Sequence, residues 1–366
     1  MWRYSDADAS RHAGLPPAWI LLDTNVYIND WQNATSATTW TSTGQPIQVT
    51  LVAGEPPHAS YFCVSCPCLN KRREHPEVVN SEADLAVLRV TVGDSLRLRT
   101  WTHKPLVFVP EPDVDRLFGP TKVIALGGGG ELGWVDLQRC ILVCDVLSHD
   151  DDDSPTHRII PLPKLLNCNQ PEPEKHYCRW PRQYSDVSVR ADDGSITCVE
   201  IEHHLRLYEP PDVAAVDVLH DSQLPVGTDA NRLPYKYEYH GWRIITWNRA
   251  ANCNYWRKVG LVHVDEIPWH AASMLLPVGY YPGQRFVADH LTVVGPTVSI
   301  HGGDDVVYIK CNPAGGADFW PRWMLAIDMA RKTILQVAPI SAQESHRRYS
   351  PTSYISCALS KYLITD

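Results

Sequence analysis

Apolar and polar positions alternate along this chain in short runs. That is the period of β-strands rather than of helices. The densest unit spans residues 133–163. Trp134 and Leu137 mark a first strand, residues 136–139 are polar enough to turn, and Ile141, Leu142 and Val143 lead a return strand that ends at Asp145. A third strand over 158–163 is cut off by Pro161 and Pro163, because proline lacks the N–H that a ladder requires. Residues 322–339 repeat the grammar: a strand led by Trp323 ends in Asp328, a turn carries Arg331 and Lys332, and a return strand stops at Pro339. Strands this short cannot bury an apolar face alone. Neighbouring copies of the same unit would supply the missing surface, so the pattern points to a repeat architecture.

The rest of the chain extends the pattern. Strands are expected at 19–23, continuing over 26–28, then at 47–52, 61–64, 96–99, 106–109, 123–126, 186–190, 196–202, 205–208, 235–239, 242–247 and 256–264. More follow at 291–294, 306–309, 323–327, 333–337 and 354–359. Residues 29–44 read as a Thr-, Ser- and Asn-rich loop, and 78–92 as a strand buried on one or both faces. Asp192, Asp193, Gly194 and Ser195 form a hairpin signal. Helical turns are expected at 113–118 and 268–274, and 212–224 reads as a loop or a short helix. On the order of two dozen strands with almost no helix define an all-β class and disfavour an alternating α/β nucleotide-binding fold. The expected architecture is β-propeller-like, with about six blades of short antiparallel strands. It occupies a single domain over 18–366, behind a disordered leader at 1–17. The alternative is two β-sandwich or barrel domains divided within residues 165–181.

Composition narrows the partners. The chain has 366 residues, 29 of them proline, with a net charge of −9. Scattered prolines punctuate short strands and oppose long helices. The acidic balance argues against a nucleic-acid partner, which favours a basic face. Lys71, Arg72 and Arg73 sit beside Glu74 and read as a solvated loop. No apolar run approaches the roughly 20 residues that span a bilayer, and residues 1–17 lack the apolar core of a signal peptide. A soluble cytoplasmic or nuclear protein is expected, with no membrane partner. The 11 irregularly spaced cysteines are expected to be free thiols, many of them buried.

Candidate chemistry is sparse. Cys63, Cys66 and Cys68 include a Cys-x-x-Cys pair, which is half of a structural zinc site. The nearest second pair, Cys140 and Cys144, lies along a strand with its side chains about 13 Å apart. Packed thiols are the better reading, and no metal is assigned. Gly127 to Gly130 lead into a strand, so they suit a hairpin loop rather than a phosphate loop, which needs a following helix. The acidic run after His149 lacks the spacing of a calcium loop. His203 and His204 should point to opposite faces of one strand. No Gly-x-Ser-x-Gly motif occurs, and no catalytic residue or cofactor is assigned. Tyr235, Tyr237, Tyr239, Trp242 and Trp247 form an aromatic-dense region. Most such rings pack in a core, and any left exposed would be binding anchors.

Taken together, these segments resemble the plant domain of unknown function 1618 family, found mainly in grasses. The resemblance rests on Gly133 to Leu137 with Ile141 to Leu147, then Ile160 to Pro163. Trp19 to Asp23 is similar to the family's opening strand. Asp186 to Val189 with Gly194 to Glu200 is similar to its middle segment, and Trp242 to Asn248 with Trp256 to its aromatic segment. The family-defining part falls at about 133–270. Members usually carry Trp-Arg-Gly where this chain has Gln138, Arg139 and Cys140. The family implies no activity and no site residues. The expected function is a non-enzymatic protein-interaction module whose partner is another protein. The alternatives are a hydrolase or lyase with a site at a propeller's central channel, and a binder of a small molecule or glycan.

Overall fold

The computed structural model describes residues 17–41, 44–69, 75–82, 84–91, 119–127, 130–147, 157–164, 166, 181–208, 219–220, 236–269, 291–301, 305–313, 323–340 and 353–362. They bear out the all-β expectation: the regular elements are strands, with three short 3-10 helices at Pro181–Gln183, Val264–Glu266 and Leu359–Tyr362. The chain divides into two compact units. One comprises Met1–Asp94 with Cys357–Asp366, the other Ser95–Ser356.

In the first unit, β1 (Ile20–Ile28), β2 (Ala37–Trp40), β3 (Pro46–Val52), β4 (Ala59–Ser65), β5 (Glu77–Glu82) and β6 (Leu85–Arg89) form a sheet in the order β2-β3-β4-β1-β5-β6. Its centre is the parallel pair β1 and β4. Ile20, Leu21, Leu22 and Val26 are fully buried there. A central strand covered on both faces favours consecutive apolar residues, as at Ile20 to Leu22, while the polar middle of β1 is satisfied internally by the Asn25 N–H donating to Asp23 Oδ1 at 2.8 Å.

Two expectations are corrected here. Residues 29–44 are not all loop, since β2 pairs along β3 from Ala37 opposite Val49 to Trp40 opposite Pro46. All four residues of β2 are exposed, so no apolar alternation announced it. Residues 78–92 are not one buried strand but the hairpin β5–β6. Leu85 and Val87 of β6 are 68% and 57% exposed.

Among its described residues the second unit contains three successive four-stranded antiparallel meanders. The first is β7 (Lys122–Ala125), β8 (Glu131–Asp136), β9 (Cys140–Asp145) and β10 (His157–Pro161). The second is β11 (Ser185–Val189), β12 (Ile196–Tyr208), β14 (Lys236–Arg249) and β15 (Arg257–His263), with the short β13 (Leu219–His220) beside β12. The third is β16 (Leu291–Val298), β17 (Val306–Pro313), β18 (Trp323–Asp328) and β19 (Thr333–Pro339). A last strand, β20, covers Tyr354–Cys357.

The middle meander is buried on both faces, and the face of β12 that carries Ile196 and Cys198 also buries Glu200 and Glu202. Ile196 and Cys198 pack with Val135, Ile141 and Val143 of the first meander. Val199 and Ile201, with Trp242 and Ile244 of β14, pack against Val293, Ile309, Leu325 and Ile327 of the third. Each fully buried side chain of this size contributes about 1.5–3 kcal/mol, so the cores between meanders hold the unit together. A buried ion pair adds a polar tie, with Lys122 Nζ of β7 2.8 Å from Asp186 Oδ1 of β11.

The central sequence unit folds as expected. β8 and β9 pair as a hairpin, and β10 adds along β9. Asp136 Oδ1 accepts from the Gln138 N–H at 3.0 Å. The second copy uses the same device, with Asp328 Oδ1 accepting from the N–H groups of Ala330 and Arg331 at 2.9 and 2.8 Å. The copies hold different places, however. β8 is second from its meander's edge in chain order, and β18 is third.

Candidate functional site

A cleft of about 540 Å³ opens in the second unit where the second and third meanders meet. Arg190 and Asp193 come from the β11–β12 turn, Thr197 from β12, and Thr246 and Asn248 from β14. Arg257, Lys258 and Val259 come from β15. The opposite wall is Val298 of β16, Asp305 to Val307 at the start of β17, and Met329 after β18.

The β15 contribution follows from an irregularity. A regular strand sends successive side chains to opposite faces, yet three consecutive residues line this cleft. In the ladder with β14, Thr246 pairs with Gly260 and Trp247 pairs with Lys258, which leaves Val259 as an extra residue. This is a β-bulge, a device that bends an edge strand and re-aims its side chains. Gly260 makes the bulge fit: a Cβ there would lie 2.4 Å from Thr246 Oγ1. Arg257 and Lys258 are exposed, and Val259 is 47% exposed.

The turn that carries Arg190 is tightly specified. Gly194 has a φ of +65°, Arg190 N–H donates to Ser195 O at 2.9 Å, and Asp193 Oδ1 accepts from the Ser195 N–H at 2.8 Å. The hydrogen bonds from Ser195, with the nearby Arg190 charge, hold the Asp193 carboxyl below its ordinary range. Arg190 Nη1 lies 3.3 Å from Asp305 Oδ1 and its Nε 3.6 Å from Asp192 Oδ1. Its charge is therefore matched within the wall, and Arg257 and Lys258 add two positive charges to a lining that also carries Asp193. Asn248 Nδ2 donates to Ser195 Oγ at 3.0 Å and fixes the floor. The described residues that line the cleft include no His, Cys or Ser.

The aromatic candidates separate. Tyr235 lies outside the described residues. Tyr237 and Tyr239 lie on β14, and their side chains lie outside the described ones as well. Trp242 is fully buried in the core, edge-on to Trp269 at 6.5 Å between ring centroids, and has no surface to offer a partner. Trp247 is half-buried and packs on the core between the first two meanders. Neither Trp242 nor Trp247 is among the described residues that line the cleft. Tyr255, just ahead of β15, is 68% exposed. The bulge escaped the sequence because Arg257, Lys258, Val259 and Gly260 read as ordinary strand. The one available signal was the glycine inside a strand pattern.

The cysteine reading is corrected in part. Cys66 and Cys68 form a disulfide with their Cα atoms 5.4 Å apart, because the turn at Pro67 brings the two side chains together. Cys63, Cys140, Cys144, Cys198, Cys311 and Cys357 are buried and take no part in that disulfide. Burial pushes the Cys63 thiol up to about 11. No group of three or more His, Cys, Asp or Glu among the described residues is arranged to hold a metal ion. His203 and His204 do diverge. His203 Nε2 reaches Val293 O at 2.7 Å, while the His204 ring lies 5.9 Å from that of His263. Gly127 and Gly130 fall in the β7–β8 connection, while Gly128, Gly129 and the acidic run after His149 lie outside the described residues. No helix among the described residues is long and apolar enough to cross a membrane.

No curated protein matches the chain. Residues 134–308 match a family model described as a protein of unknown function, DUF1618. That span opens at Trp134, runs through the second meander into β17, and includes every cleft residue except Met329. It extends past the 270 expected from the resemblance. Residues 134–308 of the chain belong to the DUF1618 family.

Proposed function

We propose that this protein is a non-enzymatic interaction module, a propeller-like scaffold whose cleft between the second and third meanders takes an acidic segment of a partner protein. The observation that carries the reading is the bulge at Val259, which turns Arg257, Lys258 and Val259 together into the cleft from an edge strand. Two exposed cations beside an exposed apolar side chain suit a ligand that brings carboxylates and a small apolar contact. The tyrosines at 235, 237 and 239, on or next to the β14 extension, are a second proposed contact.

The test compares the wild-type protein with an Arg257→Glu/Lys258→Glu variant. Acidic and basic peptide pools are presented to each, and binding is read by fluorescence anisotropy. The acidic pool should bind wild type, weaken as salt rises through screening of exposed charge, and lose at least about tenfold in affinity to the variant. Both proteins should unfold at the same temperature. Equal binding of both pools, or binding unchanged in the variant, would remove the cleft from the reading.

A further inference from the structure

The Cys66–Cys68 disulfide does little that a structural disulfide does. A cross-link stabilises chiefly by closing a long loop in the unfolded chain, and its effect shrinks with the loop. Here the separation is two residues. Nor does the bond join two elements. Both sulfurs belong to the turn that leaves β4, and that turn has its own closure, the Leu69 N–H donating to Cys66 O at 3.1 Å. Opening the disulfide therefore leaves β4 and the turn hydrogen bond in place.

The surroundings favour exchange at one sulfur. Cys66 is only 7% exposed, while Cys68 is half-buried beside the exposed Pro67. An incoming thiolate meets Cys68 first. The nearest other cysteine along the strand, Cys63, is buried and stays a neutral thiol at physiological pH, so it does not compete as nucleophile. Among the described cysteines, only Cys66 and Cys68 are oxidised.

We propose that Cys66 and Cys68 form a thiol–disulfide exchange site that is opened and closed by small thiols while the protein stays folded. An external thiolate attacks Cys68 Sγ, the Cys66–Cys68 bond breaks, and Cys66 leaves as a thiolate that takes up a proton. A second external thiolate attacks the outer sulfur of the mixed disulfide and releases Cys68, which is protonated in turn. The balance is one protein disulfide plus two thiols giving two protein thiols plus one external disulfide. The site lies in the first unit and is independent of the cleft.

The test equilibrates the native protein in glutathione buffers of graded reduced-to-oxidised ratio. Acid quenches the exchange, free thiols are alkylated in urea, and mass spectrometry reads Cys66 and Cys68. The expected result is a reversible, sigmoidal opening of this one bond, with the β-sheet circular dichroism unchanged and the unfolding temperature within about 2 °C. A Cys68→Ser variant should keep Cys66 alkylated at every ratio once glutathione mixed disulfides are removed by the most reducing buffer. Three outcomes overturn the proposal: both cysteines alkylated before any reductant, a bond that opens only in denaturant, or opening that unfolds the sheet.

Discussion

At the scale of single residues, strand-ending aspartates do more than their surface-residue reputation suggests. Asp136 and Asp328 are 4% and 6% exposed, and each accepts backbone N–H bonds from the turn that follows. For Asp328, burial works to raise the carboxyl pKa. Hydrogen bonds from the Arg331 N–H and guanidinium and the Ala330 N–H, with the Arg331 charge, outweigh it and hold the group low. A carboxyl depressed in the folded state stabilises above the unfolded value of about 3.9. That contribution is lost as pH falls through the lower folded value. Asp328→Asn should flatten the acid limb of the stability–pH curve in urea titrations, and Asp328→Ala should cost about 1–2 kcal/mol at neutral pH. Gly260 is the second telling residue. Gly260→Ala forces a methyl against Thr246 Oγ1, which is itself buried, and should destabilise by about 1–3 kcal/mol in the same titration. The aspartates were legible in the sequence as strand stops. Their hydrogen-bonding role was not, because it depends on where the next two amides point.

At the scale of elements, the alternation of Leu85, Val87 and Arg89 was visible, but its meaning was inverted. Alternation shows that one face differs from the other, not that the apolar face is covered. β6 lies at the end of its sheet among the described strands and carries Leu85 and Val87 outward. Exposed apolar edge strands invite pairing with other chains. Leu85→Lys/Val87→Lys should reduce concentration-dependent association in light scattering and leave the unfolding temperature within about 2 °C. Equal association in both proteins would show that β6 is not an open edge. β14 shows the opposite lesson. Two runs separated by Gly241 read as two strands, yet they form one 14-residue strand. Gly241, at a φ of +126°, sits where the ladder with β12 shifts register between His204 and Leu205. A glycine inside apolar alternation marked a bulge there, not an end.

At the scale of the whole molecule, meanders of similar grammar bury one another's faces, and their polar tie is testable. Lys122 and Asp186 are 8% and 7% exposed at the side chain. Removing one partner leaves a buried charge, so Lys122→Ala should cost about 3–5 kcal/mol, while Lys122→Met/Asp186→Leu should recover most of it. Urea unfolding of the second unit's near-ultraviolet signal reads both. Equal loss in the single and double variants would mean that packing, not charge, joins β7 to β11 there.

The sequence by itself determined the all-β class, most strand positions, the Asp192 to Ser195 hairpin, the central three-strand unit and the family. All of these rest on local alternation, turn residues and proline stops, which act within a few residues. The tertiary structure alone decided which apolar faces are covered. It placed Trp242 in the core and Leu85 at the surface, although both read as strand-face apolar residues. It also brought Cys66 and Cys68 into bonding distance and assembled the cleft from residues more than a hundred positions apart, Arg190 to Asp305 among them. Pairing across such separations depends on how whole sheets stack, and no local pattern records that.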